Sequence, residues 1–125
     1  MAGDSHVASE TRRLRRVPLK DLRIDDLRLL IGQGIGLPFL MPMAVAQLEA
    51  HPFAAGDSFP GDLLKRVIGV DEAFWTTRRD LRTRLIPALE LALERIAGTD
   101  APGDLEDDLR AALARHTAAL RRPAG

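Results

Sequence analysis

A chain of 125 residues and 13.7 kDa has room for one compact domain and little else. Its 46% hydrophobic and 29% charged residues exclude wholesale disorder, and the absence of cysteine removes disulfides, thiolate metal sites and cysteine nucleophiles together. Eighteen Lys plus Arg balance eighteen Asp plus Glu, so no overall charge draws the chain toward nucleic acid or an anionic membrane.

The balance hides a distribution. From Met1 to Arg23 six basic residues face three acidic ones, whereas from Ile24 to Thr76 three basic residues face seven acidic ones, and all five aromatics fall in that acidic middle. Leu and Ala supply 38 residues against 11 from Val and Ile, a composition that favours helix over strand. No stretch approaches the roughly 18 uninterrupted apolar residues of a membrane helix. The weakly charged run from Leu29 to Gln47 is broken by Gly32, Gly34, Gly36, Pro38 and Pro42. Met1 to Thr11 lack the apolar centre of a secretory signal, so a cytoplasmic location is expected.

The expected fold is all-α, a compact single-domain bundle of about five helices with a Gly/Pro-rich aromatic loop in the middle. Residues 1–16 read as a flexible Arg-rich arm, 17–121 as the helical domain and 122–125 as a short tail. A first helix starts near Asp25 as N-cap, presents Leu27, Leu30 and Ile31, and ends at the glycine series. The second carries Leu37, Leu40, Met41, Ala44, Val45 and Leu48 as one apolar stripe, with Pro38 in its first turn and Pro42 either near that turn or kinking it. His51 to Pro60 is a loop whose Phe53 and Phe59 anchor it to the helices. A third helix follows from Asp62 as cap, and Val70 to Trp75 form a short turn that docks Phe74 and Trp75. The fourth, from about Arg78 to Ala97, is capped by Thr77 and bent by Pro87, and the last runs from about Asp104 to Leu120.

Catalytic and metal chemistry find little purchase. His6, His51 and His116 lack ligand spacing and read as ordinary surface or partly buried histidines. Gly32-Gln33-Gly34-Ile35-Gly36 follows a helix and has the wrong spacing for a dinucleotide loop, so it reads as a turn requiring positive φ. Arg12, Arg13, Arg15 and Arg16, and Arg78, Arg79, Arg82 and Arg84, do not interleave with aromatics as a base-stacking surface would and read as solvated charge. No cofactor, metal, small-molecule substrate or membrane partner is expected. The segment Gly56-Asp57-Ser58-Phe59-Pro60-Gly61-Asp62-Leu63-Leu64 places acidic groups and a ring on an elaborate loop, open to two readings: a core plug with a helix cap, or a contact surface.

That element, preceded by Asp26-Leu27-Arg28-Leu29-Leu30-Ile31-Gly32-Gln33 and Gly36-Leu37-Pro38-Phe39-Leu40 and followed by Phe74-Trp75, resembles in order the immunity proteins of contact-dependent growth inhibition systems. The resemblance spans about Leu22 to Trp75. It implies tyrosine at some positions where Phe39 and Phe59 stand, and this chain has none. It also implies a stoichiometric antidote, not an enzyme, that binds the toxic C-terminal domain of an effector used in bacterial competition. The expected toxin-binding residues are Glu49, Asp57, Phe59, Asp62, Asp71 and Glu72, with Arg28 and Gln33 holding the loop. The rivals are a helical regulator that holds nucleic acid through the N-terminal arginines, a partner the balanced charge disfavours, and a structural homodimer joined through the last helix.

Overall fold

The computed structural model describes residues 9–10, 12–55 and 59–122, and every regular element among them is helical. After a 3-10 turn at Leu19–Asp21 come α1 (Ile24–Gly32), α2 (Leu37–Ala50), α3 (Asp62–Ile68), α4 (Glu72–Thr77), α5 (Arg79–Arg95), a 3-10 turn at Ile96–Gly98, and α6 (Asp104–Arg121). The main packing pairs are α5 with α6, α1 with α3, and α2 with α5. The described residues hold more helices than the about five expected: these six, and a helical stretch at residues 9–10 and 12–14. Of these, α4 stands where a turn is expected, and it buries Trp75.

The core follows the apolar stripes. Leu27, Leu30 and Ile31 of α1, and Leu40, Met41, Ala44, Val45 and Leu48 of α2, are buried. They meet Leu63, Leu64 and Val67 of α3, Leu81, Leu85 and Leu89 of α5, and Leu105, Leu109 and Ala112 of α6. Leu37 is only partly buried, since it lies at the helix end. Leu14 is 2% exposed and joins this core, so the helical residues 12–14 lie on the domain where the sequence suggests a free arm. Covering an existing apolar surface with one leucine is worth about 1.5–3 kcal/mol, enough to order a turn that has little hydrophobic content of its own.

The local signals differ in detail. α1 begins one residue before Asp25, and its N-terminus is closed by Asp26, whose carboxylate accepts the Arg23 amide N–H at 2.9 Å. Thr77 does not cap α5; its hydroxyl donates to the Phe74 carbonyl at 2.6 Å and closes α4. α2 runs unbroken through Pro42 and α5 through Pro87. The glycine turn takes the positive φ expected of it, 69° at Gly34 and 65° at Gly36, the latter leading directly into α2.

Candidate functional site

The residues that carry the family-like pattern converge because α1 packs along α3. Asp62 is the first residue of α3, not its cap: Gly61, at φ 89°, occupies the cap position. That turn drops the Asp62 side chain to 2% exposure, where one of its oxygens lies 3.2 Å from Nε of Arg28 on α1. Asp25 lies 3.9 Å from the same guanidinium. Arg28 thus reaches the first residue of α3, directly after the loop. Asp62 corrects the expectation of an outward contact: a carboxylate at this depth offers a partner no surface and serves to tie α3 to α1.

The other acidic candidates lie on separate elements, at the end of α2 and the start of α4. Glu49, at the end of α2, accepts both Nε (3.2 Å) and Nη2 (2.5 Å) of Arg84 on α5, an exposed two-pronged pair that holds its carboxyl below the usual range. Glu72 on α4 pairs with Arg82 on α5, and that hydrogen bond likewise lowers its pKa. Asp71 is exposed. Phe59 and Phe53 are half-buried at the loop, the Phe53 ring packing on the core. Asp57 lies outside the described residues. The acidic excess read from the middle of the chain is therefore met at Glu49 and Glu72 by arginines from α5.

Sequence reasoning missed the polar cluster beneath α4. Arg82, read as solvated charge, is 4% exposed, and His116 is fully buried. Arg82 donates through Nε to Nδ1 of His116 at 3.0 Å and through Nη2 to Glu72, linking α5, α6 and α4. The His116 ring meets Trp75 edge-on with centroids 4.9 Å apart, and Trp75 meets Phe74 in the same way at 5.5 Å. The spacing Leu105, Leu109, Ala112, His116 puts the histidine on the buried stripe of α6, a signal that was available in the sequence. Further ties from α6 reach the rest of the domain: Arg115 donates to the Ile68 carbonyl at 3.0 Å and Arg79 to the Leu120 carbonyl at 2.5 Å. Because Nδ1 accepts from Arg82, a neutral His116 carries its proton on Nε2.

Burial first, then the Arg82 charge, depress the His116 pKa from 6.5 to about 4. The unfolded chain therefore takes up a proton before the folded one does. The stability contributed by the neutral ring is complete above about pH 6.5 and is lost as pH falls toward about 4. Unfolding free energy is expected to fall by up to about 1.4 kcal/mol per pH unit across that window. Urea denaturation of wild type and His116→Gln at pH 6.5 and 5 checks this, with the variant expected to show the shallower slope; equal slopes would remove His116 as the cause. Glu72, whose pKa is lowered from 4.5, acts only at still lower pH.

Among the described residues no group of three or more His, Asp or Glu side chains is placed to hold a metal ion, and no helix is long and apolar enough to cross a membrane. The fold and the site define a small all-helical domain whose charged residues tie helices together. Residues 1–85 match the family model of the CDI (contact-dependent growth inhibition) immunity proteins, and the chain belongs to that family. No curated protein and no solved structure matches it. The match ends within α5, yet α6 is packed against that helix and bonded to it through His116 and Leu120.

Proposed function

We propose that this chain binds and neutralises the toxic C-terminal domain of a contact-dependent growth inhibition effector, as a stoichiometric, non-enzymatic inhibitor in the cytoplasm. The observation that carries this reading is family membership over residues 1–85. Inhibition by occupancy requires a preformed surface and no reacting group. The proposed contact surface surrounds the loop after α2 and the α3–α4 corner: Glu49, Asp57, Phe59, Asp71 and Glu72, with Asp62 supporting it from beneath through Arg28. Carboxylates at such a rim steer a basic partner and fix its orientation more than they add affinity.

The test is titration of the full chain with the C-terminal domain of the effector encoded beside it. Neutralisation is expected to saturate at equimolar ratio; protection at far lower ratios would indicate turnover and overturn the inhibitor reading. Glu49→Lys combined with Asp71→Lys is expected to weaken binding about tenfold, roughly 1.4 kcal/mol, mostly through a slower on-rate, while stability falls by no more than about 1 kcal/mol from loss of the exposed Glu49–Arg84 pair. Unchanged affinity would move the contact surface elsewhere.

A further inference from the structure

Two large apolar side chains are held out in water among the described residues: Phe39 at 68% and Leu19 at 46% exposure. They are far apart in sequence and yet line the same groove, an open, almost wholly apolar depression of about 280 Å³ that Leu14, Val17 and Leu22 also line together with Arg15. Phe39 has little freedom to retreat. It stands in the first turn of α2, directly after Pro38 and three residues beyond Gly36, whose φ of 65° sets the entry of the helix. Its backbone N–H bonds the Gly36 carbonyl at 3.0 Å. A ring carried on a fixed backbone at an apolar groove is a preformed anchor for a partner to cover.

The charge around the groove says what covers it. Arg12, Arg15, Arg16 and Lys20 are all exposed on the segment that contributes Leu14, Val17, Leu19 and Leu22 to the groove, and none is ion-paired with another described residue; Arg13 of the same run pairs with Glu10 at 2.9 Å. The surface is thus an apolar slot with Arg15 in its lining and further exposed cations on the same segment. We infer that the slot bounded by Phe39, Leu19 and Arg15 is a second contact surface for the toxin domain, taking an apolar side chain of that partner flanked by its acidic residues. A cation in the groove lining fixes the approach of acidic groups on the partner, and a basic approach there juxtaposes like charges.

This inference rests on the immunity reading, and the experiment separates the two. The effector's C-terminal domain is titrated with wild type, Phe39→Ala and Arg15→Glu at low and physiological salt, with melting temperatures as the folding control. Phe39→Ala is expected to weaken binding tenfold or more, chiefly by faster dissociation, and Arg15→Glu several-fold, with a flatter salt dependence than wild type. Both variants should melt as wild type does, because both side chains are solvent-exposed. If wild type binds and both variants bind equally well, the groove is overturned while the immunity reading stands. If wild type does not bind, both fall. A Phe39-dependent dimer in sedimentation, or binding of duplex DNA that Arg15→Glu abolishes, would assign the groove to a second copy or to nucleic acid and overturn the inference.

Discussion

Replacing Gly61 with alanine is expected to destabilise the domain by about 3 kcal/mol, out of all proportion to one added methyl group. Two costs combine. At φ 89° the backbone is left-handed, a conformation that charges a non-glycine residue roughly 1–2 kcal/mol. The added Cβ would also stand 2.6 Å from Cδ2 of Leu105 and 3.4 Å from the Phe53 ring. Leu105 is fully buried, so it moves only by disturbing the α3–α6 contact, at about 1–3 kcal/mol for an overpacked site. Gly34 supplies the control. It has a similar φ of 69° and nothing within 4 Å of the added carbon, so Gly34→Ala is expected to cost only the backbone term. Urea midpoints of the two variants, measured side by side, decide the matter; equal losses would show that the close approach to Leu105 carries no energy. Gly61 also sets the drop of Asp62 toward Arg28, so Gly61→Ala should loosen the loop that bears Phe59.

Trp75→Ala is expected to cost about 3–5 kcal/mol, the range for emptying a fully buried aromatic site, which is a large share of the 5–15 kcal/mol of a typical domain. The loss exceeds simple burial because Trp75 is packed edge-on by both Phe74 and His116, and its removal opens the apolar cover of the Arg82–His116 bond. Trp75→Phe should recover much of the loss. Trp75 is the chain's single tryptophan, so wild-type unfolding can be followed by its fluorescence. Buried emission should lie to the blue and shift red through the transition. An alanine variant with an unchanged urea midpoint by circular dichroism would contradict this account.

The longer helices were legible because each is written as its own apolar stripe at a spacing the backbone repeats, whereas the six-residue α4 is too short to show one. α2 and α6 follow almost residue by residue from Leu37–Leu48 and Leu105–Leu120. The Gly34 and Gly36 turn followed from the steric freedom only glycine has. Capping was less legible. Asp25, Asp62 and Thr77 all have the chemistry of a cap, and none occupies an N-cap position; those positions fall to Arg23, Gly61 and Arg78.

The candidate site was legible as a set of residue types and not as an arrangement. Asp62 and Arg28 were both singled out, but only the packing of α1 on α3 makes them a buried pair. Arg82 and Arg84 were read with the surface, yet one lies beneath Trp75's neighbours and the other closes over Glu49.

Taken alone, the order of residues determined the helical class, the turns and the family, since these depend on neighbours within a few positions along the chain. Which charges are sunk, which are neutralised and which rings remain in water was decided by the tertiary structure. Those outcomes depend on residues 34 or 35 positions apart, as between Arg82 and His116 or Glu49 and Arg84, and local spacing carries no record of such pairings.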